Sequence, residues 1–335
     1  MLQSGFNILP RSVFWSAYLN GRSDNLDVMS LGTAAMTNSK RKIRLRLSLR
    51  AALTGLFLAS LVLGIWTSRS LNQKRAIIAL KKLGGDVMYD DYESRRLDSA
   101  IARWLGPDFA YGPYSIDLGE TDISDADLQH VAQLPSIVDL QLHETNVTGT
   151  GFDNLLPLKK LESLTLGGTK ITNESLRHVG QMTSLTYLGV GHNTNIGDDG
   201  IRYLSALKNL NGINLWYTRT GDEGLKTLSA LPKLRRIFAG GTNISDAGTS
   251  LLRGNEILEE LILQKTKIGD ETLKYLSEIK SLKELHVSET GITDAGLDFL
   301  KNCNSLTKLS ISANENISPA GRAKLQLRLP TTAIR

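Results

Sequence analysis

Cysteine is nearly absent from the 335-residue sequence, which contains Cys303 alone. A single cysteine excludes a disulfide framework within the chain and any zinc site built from several thiolates. Aromatic residues are also scarce, at 6% of the chain. Apolar residues nevertheless make up 41% and charged residues 22%, which excludes a wholly disordered chain and a polytopic membrane protein. The chain therefore has enough apolar residues for a large core.

Acidic residues are scarce only near the N-terminus. Residues 1–82 contain 13 Lys or Arg but 2 Asp or Glu, a net charge of +11. Residues 83–335 contain 26 basic and 32 acidic residues, a net charge of −6. The overall charge of +5 therefore comes from the N-terminal segment, and the larger part of the chain is mildly acidic. This distribution disfavours nucleic acid as a partner.

One long apolar run, Ala51 to Ser68, contains no charged residue. As a helix it spans about 27 Å, close to the roughly 30 Å hydrocarbon core of a bilayer. Arg50 and Arg69 flank the run, and Trp66 lies where an interfacial aromatic residue is expected. Six basic residues stand in the eleven positions before the run and three in the seven positions after it. This asymmetry predicts a single-pass protein of the cell membrane, with a cytoplasmic N-terminus and the rest on the periplasmic or extracellular side.

Two alternatives to a signal anchor remain open. A cleaved signal peptide has the same basic start and apolar run, although no small-x-small cleavage site follows Trp66. A buried core helix would have to accommodate six cations at its start. The favoured division of the chain is an upstream extension or disordered tail at 1–35, a basic cytoplasmic segment at 36–50, a transmembrane signal anchor at 51–68, an N-terminal capping region at 69–113, and repeats with a C-terminal cap at 114–335.

A repeat of 24 residues, with one interval of 25, runs through the rest of the chain. Its anchors are the first apolar residues of Leu-x-Leu-like pairs: Ile116, Leu140, Leu164, Leu188, Ile213, Ile237, Leu261, Leu285 and Leu309. A threonine follows most anchors by five residues, and Thr194 is taken as its equivalent in the longer repeat. An aspartate often follows, which is predicted to cap the N-terminus of the helix in its own repeat.

Each unit is predicted to form a strand and then a helix. The segment from Leu161 to Leu166 alternates apolar and polar residues, and the segment from Asp270 to Ile279 has apolar residues at helical spacing. One repeat cannot bury its leucines alone, so neighbouring repeats must stack. The predicted fold is an α/β solenoid of about nine repeats, with a curved parallel sheet on the concave side, helices on the convex side, and one transmembrane helix before it.

The repeat unit resembles leucine-rich repeats of the ribonuclease-inhibitor-like and cysteine-containing types. The stretch from Leu282 to Leu297 matches the unit L-x-x-L-x-L-x-x-T-x-I-[ST]-D-x-G-L almost in full. The basic start, the apolar run and the stretch KLGGDVMYDDY from Lys82 to Tyr92 are similar to membrane-anchored leucine-rich repeat proteins of planctomycete bacteria. The resemblance implies an envelope location and no particular ligand.

Both ends of the solenoid are predicted to be capped, because an exposed sheet edge is a liability. At the N-terminal end we expect a helix at 71–83, a stop at Gly84 and Gly85, and a strand at 87–92. At the C-terminal end we expect a closing helix at 319–329.

The sequence has no residue pattern typical of catalysis or metal binding. His143 and His286 lie on strands six repeats apart, roughly 29 Å at the usual strand spacing, so they cannot share a metal. Cys303 is predicted to be a small buried hydrophobic residue. Asp117 and Asp139 are candidates for a sugar-processing enzyme, but no supporting groups accompany them. We therefore predict a protein that is not an enzyme and has no metal and no cofactor.

The predicted binding site lies on the concave face, where strand residues that alternate with the leucines point outward. Small or polar residues dominate both ends of this face, whereas the centre collects larger side chains. An exposed aromatic and aliphatic cluster beside arginines is typical of a protein-binding surface. The predicted partner-binding residues are Tyr187, Trp216, Tyr217, Arg219, Arg236, Phe238 and Ile262. Alternatively, Trp216 and Phe238 only pack on each other across neighbouring strands.

The favoured function is therefore non-enzymatic binding of an unknown protein or cell-envelope ligand by a repeat domain that residues 51–68 anchor in the lipid bilayer. Two other functions remain open. One is an F-box-like leucine-rich repeat substrate receptor for ubiquitin ligation, for which the region 69–113 is short. The other is a secreted repeat protein with a cleaved signal peptide.

Overall fold

The structure is a computed structural model that describes residues 49–89, 104, 106, 108 and 111–335. The chain separates into two units, residues 1–56 and residues 57–335. In the first unit, the described residues form the start of a helix. The predictions for 1–35 and for most of 36–50 lie outside the described residues.

One helix, α1 (Leu49–Lys82), contains the whole predicted membrane span. The apolar part of the helix is exposed to solvent, whereas from Ser70 onward one face is buried through Ala76, Ile77 and Leu80. We expected a separate helix to begin at residue 71, but α1 continues through Arg69. No glycine or proline stands between residues 65 and 83 to interrupt it.

The N-terminal cap follows directly on α1. Gly84 has a φ of 93° and Gly85 lies close to Leu118, so a Cβ at Gly85 would stand 2.6 Å from the Leu118 Cδ2 atom. Strand β1 (Asp86–Met88) then pairs antiparallel with the first repeat strand. The predicted capping strand at 87–92 is thus present in part, and Asp90 to Tyr92 lie outside the described residues.

Within the described residues, eleven strands form one sheet in sequence order, and all neighbouring pairs except β1 with β2 are parallel. The nine repeat strands β2–β10 are Ser115–Asp117, Asp139–Gln141, Ser163–Thr165, Tyr187–Gly189, Gly212–Asn214, Arg236–Phe238, Glu260–Ile262, Glu284–His286 and Lys308–Ser310. Their register sets each predicted anchor opposite the anchor of the next repeat, from Ile116 to Leu309. The anchors are at most 1% exposed. The predicted solenoid is therefore confirmed.

Short helices and 3-10 turns pack on the other side of the leucines. The helices are α2 (Leu128–Val131), α3 (Ser175–Val179), α4 (Asp198–Arg202), α5 (Asp222–Ser229), α6 (Asp246–Thr249), α7 (Asp270–Leu276), α8 (Asp294–Leu297) and α9 (Pro319–Arg328). The 3-10 turns are Asp125–Asp127, Phe152–Leu155, Tyr203–Ala206, Ser250–Leu252 and Asp298–Asn302. The closing helix predicted at 319–329 corresponds to α9.

An eleventh strand, β11 (Ala333–Ile334), was not predicted. After α9 the chain turns back, and the Thr332 hydroxyl donates to the carbonyl oxygen of Leu306 at 2.7 Å. The amide of Ala333 then donates to the carbonyl oxygen of Thr307 at 2.8 Å. This pairing extends the sheet by one parallel strand beyond the last repeat.

The buried turn after each strand corrects the assignment of Thr194. Thr145 and its equivalents donate their hydroxyls to the carbonyl three residues earlier, such as that of Leu142 at 2.7 Å. In the 25-residue repeat this position belongs to Asn193, which is 2% exposed, whereas Thr194 is exposed. The extra residue of the 25-residue repeat therefore lies after this buried turn position, which Asn193 occupies.

The repeating aspartates also differ from their predicted role. Each stands at the first position of a helix or 3-10 turn, and its carboxylate accepts hydrogen bonds from the next repeat. Asp222, for example, accepts from the Ser245 amide at 2.8 Å and from the Ser245 hydroxyl at 2.7 Å. The helix of the next repeat is capped by Ser245 itself, which accepts from the amide of Ala247. The aspartates that link repeats in this way are Asp125, Asp198, Asp222, Asp246, Asp270 and Asp294.

Candidate binding face

We define the concave face as the side of the sheet that faces away from the leucine core. On this side, Trp216 and Tyr217 form an aromatic pair whose ring centroids lie 5.7 Å apart. Both rings lie over glycines of the next repeat. A Cβ at Gly240 would stand 2.9 Å from the Trp216 Cζ3 atom, and a Cβ at Gly241 would stand 2.5 Å from the Tyr217 Cδ1 atom. The two glycines therefore make the room in which the rings lie.

A second pair, Tyr187 and Arg236, meets over Gly212. Both side chains lie above this glycine, whose Cβ would stand 3.2 Å from the Tyr187 ring and 3.5 Å from the Arg236 Nε atom. The Arg236 guanidinium donates to the Asn211 side-chain oxygen at 3.2 Å. Burial raises the pKa of Tyr187 to about 12, although Arg236 favours the ionised form. Tyr187 is therefore a neutral hydroxyl group on this face at physiological pH.

Phe238 and Ile262 are paired neighbours on β7 and β8, and both are half-buried. Ring contacts among the described residues link Trp216 to Tyr217 and Tyr217 to His192, at 5.7 and 5.1 Å between centroids. No ring contact between Trp216 and Phe238 is found among the described residues, and the alternative in which the two side chains pack on each other stays a prediction.

Arg219 lies beyond the end of β6, away from Arg236. It follows β6 by five residues and forms an isolated bridge with Gly197, whereas Arg236 is the first residue of β7. Because neighbouring strands are parallel, the two arginines lie toward opposite ends of the strands. The structure therefore brings together three pairs: Trp216 with Tyr217, Phe238 with Ile262, and Tyr187 with Arg236. It does not bring Arg219 to Arg236.

His192 and Lys265 belong to the same face and were missed. His192, Tyr217 and Lys265 each have positive φ, at 61°, 53° and 56°, and occupy the same position of their repeats. Lys265 lies next to Tyr217 and forms an ion pair with Glu289 at 3.4 Å. The neighbouring Tyr217, and then Glu289, raise the pKa of Lys265. The 24-residue period, applied to the residue before each threonine, would have found this row.

The described residues contain no group of His, Cys, Asp and Glu that could hold a metal ion. The two aspartates considered for catalysis are engaged elsewhere. Asp139 accepts from the Ser115 hydroxyl at 2.7 Å and the Gln141 amide at 3.0 Å, and Asp117 accepts from the Gly119 amide at 2.9 Å. Cys303 is buried, and this burial raises the pKa of its thiol.

The residues predicted to flank the membrane lie on α1. Arg50 and Arg69 are exposed, and Trp66 is 41% exposed. The helix is long and apolar enough to cross a bilayer by length and composition.

Parallel strands stacked in register over a row of buried anchor residues are typical of the leucine-rich repeat fold. A family model for the leucine-rich repeat matches residues 181–205 and 279–301, which lie in two of these repeats. The repeats of this chain are leucine-rich repeats. The particular subtype and the planctomycete resemblance stay predictions.

Three solved structures are similar to this chain at low identity. Internalin C2 of Listeria monocytogenes is 21% identical with a TM-score of 0.48, over 62% of this chain and 82% of that one. A leucine-rich repeat protein of Leptospira interrogans is 20% identical with a TM-score of 0.45, over 62% and 56%. A plant peptide hormone receptor in complex with its peptide hormone is 17% identical with a TM-score of 0.40, over 65% and 42%. A search of curated proteins gives no match.

Proposed function

We propose that this protein is a membrane-anchored, non-enzymatic scaffold that binds a protein or cell-envelope ligand on its concave face. The observation that carries the proposal is the aromatic pair Trp216 and Tyr217, which lies on the open side of the sheet over Gly240 and Gly241. Tyr217 is 38% exposed. Large aromatic side chains on a sheet surface supply much of the affinity in protein interfaces.

The rings are also held in place before any partner arrives. Trp216 follows β6 by two residues, and its amide donates to the Asn214 side chain at 3.0 Å. Gly240 and Gly241 lie below the rings and, because they have no Cβ, let the rings pack close to the backbone. Little side-chain freedom is lost when such a surface binds, which favours affinity. Arg236, Phe238 and Ile262 extend the surface beside the pair.

The apolar part of α1 supports the membrane anchor. Leucine and valine side chains there are about half to two-thirds exposed, as for Leu56 at 68% and Val62 at 65%. A continuous sleeve of exposed apolar residues is unfavourable in water and favourable in a bilayer. The excess of basic residues before it supports a cytoplasmic N-terminus and repeats on the outer side. Continuity of α1 through Arg69 supports retention of the segment rather than cleavage as a signal peptide.

The binding proposal is tested with the full chain in detergent, immobilised and exposed to solubilised cell-envelope extract. The double variant Trp216→Ala, Phe238→Ala is expected to lose capture of the partner by at least about tenfold, because central aromatic residues of interfaces contribute 2 kcal/mol or more each. Its fold is expected to remain, because the Trp216 ring lies on the sheet surface. Quantitative mass spectrometry and circular dichroism give the two readouts.

The matched control is Tyr203→Ala with Phe299→Ala. These aromatic residues are 39% and 40% exposed, and they lie in 3-10 turns on the opposite side of the core. The control is expected to capture the same proteins as the wild type. Equal losses in both double variants would contradict a site on the concave face, as would full capture by the first.

A further inference from the structure

Four carboxylate side chains stand in the sheet rows that face the concave side: Asp117, Asp139, Glu260 and Glu284. Three of them have partners. Asp117 and Asp139 accept the hydrogen bonds described above, and Glu284 forms an ion pair with Lys308 at 2.7 Å. The Glu260 carboxylate has no hydrogen bond and no ion pair within the part of the chain that the structure describes. It is the exception in this set.

The neighbours of Glu260 explain why it is unpaired. Arg236 lies directly across on β7, but its side chain leans away over Gly212 and bonds Asn211. Glu284 lies across on β9 and is itself acidic. The preceding residue, Glu259, binds two cations, Arg235 at 2.5 Å and Lys283 at 3.0 Å. Arg236 and Lys308 attract the Glu260 carboxylate at longer range, but neither forms a hydrogen bond or an ion pair with it among the described residues.

The surroundings of Glu260 make this lack of a partner costly. Ile262 lies two residues on along the same face of β8, and Phe238 pairs with Ile262 on the neighbouring strand. Burial, and then repulsion from Glu284, raise the pKa of Glu260. A carboxylate that is partly removed from water gains from a cation that arrives with its own apolar surroundings.

We propose that Glu260 is the anchor for a lysine or arginine side chain of a protein partner, whose adjacent apolar residues pack on Phe238 and Ile262. This inference rests on the proposed function and adds the chemistry of the partner to it. The long apolar stem of either side chain packs along Phe238 while its charged end reaches the carboxylate. A neutral or anionic glycan would leave Glu260 desolvated and unpaired, so charge complementarity favours a basic peptide segment.

The test uses a phage-displayed library of random dodecapeptides, selected on the full wild-type chain in detergent. Sequences recovered from the wild type are expected to be enriched in Lys or Arg next to apolar or aromatic residues. Selection on Glu260→Gln is expected to keep the apolar enrichment and lose the basic one. Selection on Glu259→Gln, which makes the same charge change at an already paired neighbour, is expected to resemble the wild type.

A double-mutant cycle then measures the contact directly. One recovered peptide is synthesised with its basic residue and with glutamine in that position. The exchange is expected to weaken binding to the wild type about tenfold or more, and binding to Glu260→Gln by less than about twofold. An equal loss on both proteins overturns the role of Glu260.

The outcomes separate this inference from the proposed function. Recovered peptides that require Trp216 and Phe238 but show no basic preference would leave the binding face in place and overturn the role of Glu260. No enrichment on the wild-type chain would overturn both, because the concave face would then bind no short protein segment.

Discussion

Single side chains decide how the turns between repeats are held. Asn193 donates from its side-chain nitrogen to the carbonyl oxygens of Leu166, Val190 and Gly191, at 2.7, 3.0 and 3.2 Å. The threonines in the other repeats satisfy one carbonyl each, such as Leu215 by Thr218 at 2.8 Å. Asparagine therefore joins two repeats, whereas threonine closes a turn within its own repeat.

The variant Asn193→Ala is expected to destabilise the solenoid by about 1–3 kcal/mol, because buried carbonyl groups lose their donors. Asn193→Thr, which installs the residue of seven other repeats (the ninth repeat has Asn314), is expected to be less destabilising than Asn193→Ala. Urea-induced unfolding followed by circular dichroism measures both. The control Thr194→Ala, at the exposed next position, is expected to stay within about 0.5 kcal/mol of the wild type. Wild-type stability in Asn193→Ala would contradict this role.

Sequence alone could predict the strand positions but not these side-chain contacts. The 24-residue period predicts the position of every anchor residue, and it predicts that Phe238 and Ile262 lie side by side on the concave face. It could not say which way the Trp216 ring leans, because that depends on Gly240 in the next repeat. The threonine pattern predicts Thr194 only if the inserted residue precedes the buried turn position, whereas the structure has Asn193 there.

The helices and turns are linked by carboxylates that reach forward by one repeat. Asp125 accepts from the amides of Thr148, Gly149 and Gly151, each at 2.8 or 2.9 Å. Burial acts to raise the pKa of Asp125, but these hydrogen bonds from Gly151, Thr148 and Gly149 outweigh it and lower the pKa below the ordinary 3.8. The sequence showed aspartate at a helix start, and capping preferences alone assign such a residue to its own helix. Only the structure, in which the repeats are stacked, shows that the carboxylate accepts hydrogen bonds from the next repeat.

The lowered pKa of Asp125 predicts a pH dependence. The folded state stabilises its ionised form, so this stability is present above the unfolded pKa and is lost as pH falls through the folded value. Asp125→Asn is expected to be about 1–3 kcal/mol less stable at neutral pH, because one amide oxygen cannot accept all the bonds. The difference is expected to shrink as the pH falls through the folded pKa of Asp125, because the wild-type side chain then becomes protonated as well. Unfolding midpoints at several pH values measure this.

Asp122→Asn serves as the matched control for this measurement. Asp122 is exposed three residues before Asp125, and its carboxylate accepts no hydrogen bond in the described structure. Its substitution is expected to shift stability by less than about 0.5 kcal/mol at every pH. A pH-independent loss in Asp125→Asn would contradict the carboxylate explanation.

The complete chain combines a repeat domain with a helix that is half exposed and half docked. Length and hydropathy predicted the exposed part of α1, but they suggested a break near residue 70. The docked half was harder to recognise, because its buried residues Ala76, Ile77 and Leu80 contact a partner surface that exists only after the repeats stack. Periodicity is therefore most informative where a pattern recurs and least informative at the two caps, including β11.

Two arginine substitutions in the apolar part of α1, Leu58→Arg and Val62→Arg, are expected to release the chain from membranes. Leu58 and Val62 are 58% and 65% exposed, and each arginine near the centre of a spanning helix costs about 2.5–3.5 kcal/mol on insertion. Fractionation with a carbonate wash should place Leu58→Arg, Val62→Arg in the soluble fraction and the wild type in the pellet. The control Ile78→Arg alters a residue that is 41% exposed on the docked half, and it should remain in the pellet. Salt-extractable wild type would refute the anchor.

The forward-reaching aspartates have a consequence for how such a chain changes length. Six of the nine units carry an aspartate that accepts hydrogen bonds from the next unit, so a duplicated block of 24 residues taken from the units between Asp198 and Asp294 would find complementary groups at both of its borders. Each added or deleted block would alter the platform by one strand, about 4.8 Å, and leave the neighbouring chemistry intact. A change in the number of repeats, rather than point substitution, is thus the simplest way in which such a protein could evolve to bind a longer or a shorter partner.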